Sequence, residues 1–177
     1  MITNIALAIV TTLSLAFTSP SGWIDRDGNP IPDSAEQKSI GQFGAWLLLT
    51  NDVKNSLEKW NTPSETVYID TSKNYKKNEY IAAFVFFSGC SENESGKCNL
   101  NVKYKIIQPD GKVYADIPEQ EAWSKKPPGR SIQMSTAYIQ VRIESHELKG
   151  TYEILADVID NNSSQKLNLS SKFEISE

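Results

Sequence analysis

From residue 43 onward the chain is a series of short apolar runs broken by polar turns. Phe43 to Leu49 (FGAWLLL) and Ile81 to Phe87 (IAAFVFF) are continuous apolar runs of strand length. Runs of this kind suit strands buried on both faces. Leu100, Val102, Tyr104 and Ile106 alternate with Asn101, Lys103 and Lys105, the period of a half-buried strand. The same alternation returns at Ile139, Val141 and Ile143, then at Tyr152, Ile154, Ala156 and Val158. It closes with Leu167, Leu169, Phe173 and Ile175. Thr66 to Asp70 and Lys112 to Ala115 are shorter strand candidates. Val53, Leu57 and Trp60 recur with helical spacing; Asn51 or Asp52 can cap that start and Pro63 can stop it. Turns are expected at Pro109-Asp110-Gly111 and at Asn161-Asn162-Ser163-Ser164.

About eight short strands with alternating faces, polar turns and one short helix predict an all-β fold, an antiparallel sandwich. Two sheets that each carry an apolar face must pack those faces together. The final stretch, GTYEILADVIDNNSSQKLNLSSKFEI, resembles the closing strands of immunoglobulin-like domains. Gly150-Thr151-Tyr152 stands where such domains place a tyrosine corner. Ile154 occupies the position of the immunoglobulin cysteine, and Cys90 and Cys98 are too close in sequence to form the inter-sheet bridge. The chain is similar in this respect to small exported bacterial proteins of unknown function that consist of one such domain. The resemblance implies the architecture and brings no active site with it.

Upstream of the sandwich, Ile5 to Phe17 is apolar and uncharged. It is shorter than the ~20 residues that cross a bilayer and has the length of a signal-peptide core. Small residues follow at Ala16, Thr18 and Ser19, although no Lys or Arg precedes the run. The expected organisation is a signal peptide over 1–18, an extended N-terminal arm over 19–41 and an immunoglobulin-like domain over 42–177. Cys90 and Cys98 enclose the polar loop SENESGK. In an exported protein this spacing reads as a disulfide, whose closure contributes roughly 2–3 kcal/mol in the chain-entropy model.

Composition narrows the chemistry. The 177 residues carry a net charge of -4, which argues against a chain that coats nucleic acid. One histidine and two cysteines exclude multi-histidine and four-cysteine metal sites. Glycine-rich nucleotide motifs are missing, so no cofactor is expected. Asp25-Arg26-Asp27-Gly28-Asn29, with Asp33, is rich in oxygen ligands, but Gly28 falls at the fourth position where a calcium loop needs its glycine at the sixth. A polar turn is the expected form. Ser145 and His146 are adjacent and so point apart in an extended chain, which suits a surface loop better than a catalytic triad. Lys73, Lys76 and Lys77 read as a solvated turn. Asp116, Glu119 and Glu121 fall in one expected loop with Trp123, where paired carboxylates beside an aromatic platform would serve glycoside hydrolysis.

The stretch from Asp116 to Thr136 is expected to be one long loop that serves as the contact surface, with Trp123, Lys125, Lys126, Pro127 and Pro128 as its contact residues. The reading that results is an exported, periplasmic or secreted, non-catalytic binding or accessory module of the bacterial envelope. Its partner is a protein or an envelope component; neither nucleic acid nor a membrane span after signal cleavage is expected. A carboxylate-based glycan-active enzyme and a structural subunit acting by strand addition are the alternatives. The apolar run ends at Phe17, so N-terminal sequencing of the exported protein should find a mature start between Ser14 and Ser21. A cytosolic protein retaining Met1 would contradict export.

Overall fold

The computed structural model describes residues 23–25, 27–62, 67–129 and 131–177, so the signal peptide expected over 1–18 lies outside the described residues. Among them, nine strands and one helix form a two-sheet sandwich. The strands are β1 (Gln37–Ile40), β2 (Phe43–Thr50), β3 (Asn74–Lys76), β4 (Tyr80–Ser88), β5 (Leu100–Ile107), β6 (Val113–Trp123), β7 (Gln133–Arg142), β8 (Gly150–Asp160) and β9 (Gln165–Ser176). One sheet has the order β1-β2-β4-β7 and the other β3-β9-β8-β5-β6. The neighbours β2-β4-β7 and β5-β8-β9 resemble the A-B-E and C-F-G groups of an immunoglobulin-like domain, with β6 in the place of C′. Tyr152 completes the likeness: its hydroxyl donates to the Leu148 carbonyl at 2.8 Å, four residues upstream.

The facing sides of the two sheets supply the main core. Phe43, Ala45, Leu47 and Leu49 of β2 and Ile81, Ala83, Val85 and Phe87 of β4 meet the alternating apolar residues of β5, β8 and β9. The intervening positions of β2 and β4 form a second apolar layer on the opposite side. There Leu48, Ala82, Phe84, Phe86 and Met134 are covered by Val53, Leu57 and Trp60 of α1 (Val53–Asn61) and by Ile69. This double covering is why these two strands read as unbroken apolar runs. The Asp52 carboxylate caps α1 by accepting from Asn55 N at 3.0 Å. Pro63 and Thr66 lie outside the described residues.

Several elements differ from the sequence pattern. Residues 67–70 make no strand; the short strand is β3, and it pairs parallel to β9, so the second sheet is mixed rather than wholly antiparallel. β3 wins because Tyr75 is its one buried side chain and stacks edge-on to Phe173. Lys76 therefore sits in a strand and not in a turn. The short return strand expected over Lys112 to Ala115 continues to Trp123 as β6. Bulges and Pro118 break its alternation, which is why the period is hard to read.

The stretch expected as an extended arm contributes β1 and a buried Trp23, 5% exposed. Nε1 of Trp23 donates to the Lys38 carbonyl at 3.0 Å. The ring lies where a Gly44 side chain would stand: a Cβ there would be 2.8 Å from Cε2 and Nε1 of Trp23. Two segments close this side of the sandwich by passing between the sheets. The Glu36 carbonyl accepts from Leu47 N while the Ala35 carbonyl accepts from Ser170 N, each at 2.8 Å. Likewise Ser72 N donates to Leu49 O at 3.2 Å and Lys73 O accepts from Glu174 N at 2.8 Å. Gly44→Ala should displace the Trp23 ring and cost about 1–3 kcal/mol in urea unfolding. In a Trp23→Ala background the same substitution should cost almost nothing.

Candidate functional site

Three connections meet at one end of the sandwich: β4 to β5 (89–99), β6 to β7 (124–132) and β8 to β9 (161–164). Immunoglobulin variable domains gather their binding loops at such an end. The first connection begins at Gly89, whose φ of 64° and closeness to Gln42 O leave no room for a side chain. Cys90 and Cys98 then form the expected disulfide, with Cα atoms 5.8 Å apart. Inside it the Asn93 side-chain oxygen accepts from Ser95 N at 2.9 Å and Lys97 N at 3.1 Å, so the enclosed loop is itself a tight turn.

Asp160, fully buried at the end of β8, joins this loop to the last hairpin. One carboxylate oxygen accepts from Ser91 N at 2.8 Å and the other from Asn162 N at 3.0 Å. Asn162 Nδ2 donates back to the carbonyls of Ser91 at 2.8 Å and Lys97 at 2.9 Å. The β6–β7 connection is tied in by Cys98 N, which donates to Lys125 O at 2.9 Å. Neither Asp160 nor Asn162 stands out in the sequence. DNNSS reads only as a turn, because its partners lie about 70 positions upstream.

The expected contact loop is not one loop. β6 takes residues up to Trp123 and β7 starts at Gln133, leaving 124–132 as the connection. Trp123 is half-buried and turned inward: its ring centroid is 5.8 Å from that of Phe87, and Nε1 donates to Lys126 O at 3.0 Å. The Lys125 ammonium lies over the same ring at 5.3 Å. Lys125, Lys126 and Pro127 are exposed and Pro128 is half-buried. Trp123 thus anchors the connection, while the lysines and Pro127 are what it presents to solvent; in the β4–β5 connection Glu92, Glu94 and Lys97 are exposed as well.

The other candidates lie elsewhere. Asp116, Glu119 and Glu121 are on strand β6 and not in a loop. Asp116 pairs with Lys103 at 3.2 Å and Lys105 at 3.5 Å, and the hydrogen bond from Lys103 holds its carboxyl below the usual carboxylate range. Glu119 accepts from Asn101 Nδ2 at 2.6 Å. A glycosidase acid needs a shift in the other direction. His146 is 78% exposed, with Nδ1 3.5 Å from Glu144 Oε2, while Ser145 Oγ accepts from Asn78 Nδ2 at 2.9 Å. The Asp25 carboxylate is occupied within its own turn by Asn29 N at 2.8 Å, Asp27 N at 2.9 Å and Asn29 Nδ2 at 3.1 Å. Lys73 pairs with Glu36, which also accepts from Ser171 Oγ at 2.8 Å; these groups border an open cleft of about 390 Å³ with Ser34, Ser170 and Lys172. At the opposite end, burial and then the hydrogen bond to Glu147 push the Tyr114 hydroxyl up to about 12.

No family model and no curated protein matches the chain. Solved structures similar to it include a family 123 glycoside hydrolase from Clostridium perfringens, at 10% identity and TM-score 0.43, covering 75% of this chain and 27% of that one. A β-glucosidase from Listeria innocua aligns at 7% identity and TM-score 0.41, over 92% of this chain and 19% of that one. A CARDB domain from Pyrococcus furiosus aligns at 13% identity and TM-score 0.37, over 59% of this chain and 81% of that one. The chain spans about a quarter of the glycoside hydrolase it matches.

Two substitutions probe how the loop end is held. Trp123→Ala removes a half-buried ring from Phe87 and should cost about 2 kcal/mol. Asp160→Ala leaves the N–H groups of Ser91 and Asn162 without their acceptor and should cost about 2–3 kcal/mol. Urea unfolding of each variant checks both values.

Proposed function

We propose that this protein is an exported, non-catalytic binding or accessory module of the bacterial cell envelope, periplasmic or secreted, that engages a protein or envelope component through its disulfide-stapled end. The observation that carries this reading is the joining of three separate connections into one unit by Cys90–Cys98, Asp160 and the Cys98–Lys125 hydrogen bond. Loops fixed before binding lose little entropy on binding, which is what recognition surfaces gain from stiffness. The exposed groups of these connections are of mixed charge: Glu92, Glu94, Lys97, Lys125 and Lys126. They suit a polar partner surface.

The disulfide supports an oxidising compartment, in keeping with the apolar N-terminal run. Among the described residues no helix is long and apolar enough to cross a membrane. The glycan-active alternative has less support, because Asp116 and Glu119 are held in cross-strand pairs. The test is capture from envelope extract with the mature domain as bait. Lys125→Glu combined with Lys126→Glu should remove the captured partner and lower stability by no more than the ~1 kcal/mol of the exposed Lys125–Trp123 contact. Unaltered capture by that variant would move the binding surface away from this end.

A further inference from the structure

We infer that the outer edge of β7, over Tyr138 to Arg142, pairs antiparallel with the same edge of a second copy of this chain. The inference starts from how the edges of the two sheets are finished. An open strand edge presents unpaired backbone groups, and proteins block such edges with side chains, bulges, prolines and charges. Along β1, Ser34 bonds both backbone groups of Gln37, Asp33 accepts from Ser39 N at 3.0 Å and Trp23 donates to Lys38 O. At β3, Glu79 accepts from Lys76 N at 2.8 Å and the Ser72 hydroxyl bonds both backbone groups of Asn74. The start of β9, beyond the reach of β3, carries Lys166 and is met at Ser170 by Ala35. The edge strand β6 has three register shifts, Pro118, Asp116, Glu119 and Glu121.

β7 is finished over its first half only. Ser135 Oγ donates to Ala137 O at 2.7 Å and accepts from Ala137 N at 3.0 Å, filling a bulge. Thr136 Oγ1 donates to Ala122 O at 3.0 Å, across to β6. From Tyr138 to Arg142, among the described residues, β4 is the one strand partner, and no side chain bonds the other edge. This part holds no proline and its one charge is Arg142.

The segment Tyr138-Ile139-Gln140-Val141-Arg142 is complementary to itself when reversed about Gln140. Tyr138 of one copy stands opposite Arg142 of the other, a cation–π pair of the kind Arg142 already makes with Tyr80 at 5.7 Å. Ile139 stands opposite Val141, extending the apolar side, and Gln140 faces itself with a donor and an acceptor on each copy. Two four-stranded sheets would join as one of eight strands. About 17 Å of strand edge makes a small interface, so the dimer should come apart on dilution.

Sedimentation velocity from micromolar to millimolar protein tests this. The wild type should dimerise at the upper end. Gln140→Lys and Gln140→Glu each place like charges across the two-fold axis and should weaken association by about tenfold or more. Gln140 is exposed, so both variants should keep the wild-type melting temperature. An equimolar mixture of the two should dimerise again. In the wild type, amide exchange over 138–142 should slow as concentration rises. A wild type that stays monomeric, a dimer that survives Gln140→Lys, a mixture that stays monomeric, or exchange over 138–142 indifferent to association would each overturn the inference.

Discussion

Phe84 and Val85 are neighbours in β4, point to opposite faces and are both fully buried. A strand in that position has no solvent side, so the sheet holding it must be covered twice. The second sheet covers one face. The other is covered by α1, Ile69 and, at the start of β2, Trp23. Removing that outer layer would expose Phe84, Phe86 and Leu48 together, a larger apolar patch than a monomeric surface normally carries. The helix and Trp23 are therefore parts of the domain, and the sandwich is three layers deep on this side.

The second sheet solves the same problem differently. Its outer face is solvated, and its polar positions pair across strands: Lys103 and Lys105 with Asp116, Lys166 with Asp157 at 2.7 Å, and Thr151 with Glu174 at 2.8 Å. Each exposed pair contributes little by itself. Their arrangement sets charges of both signs side by side on this face, around the half-buried Ile107, Leu155 and Ile159.

Much of this was legible from residue order alone, and the parts that were not share a cause. Alternation revealed β5, β8 and β9 because each has one wet face and one dry face. Unbroken runs revealed β2 and β4, and helical spacing with the Asp52 cap revealed α1. β6 was hidden because its three bulges and Pro118 break the period, so most of a strand read as a loop. β1 and β3 were hidden because they are short and polar and owe their form to distant partners, Leu47 and Ser170 for the first, Phe173 and Glu174 for the second. At the candidate site the disulfide and Trp123 were visible as residue types, whereas Asp160 looked like any turn aspartate. Its burial, and its grip on Ser91, arise only in three dimensions.

The seam at residues 34–37 has a consequence for the order in which the molecule can be assembled. Glu36 meets Ser171 across a separation of 135 residues, and the same short segment bonds β2 on one side and β9 on the other. The partner strand is β9, the last strand among the described residues, so the first edge of the sandwich cannot close until β9 has arrived. Contacts of such separation carry the loop entropy of everything between them and are late, slow steps. A chain crossing a membrane from its N-terminus would hold β1 and β2 in waiting, with their apolar faces open, until β9 had emerged.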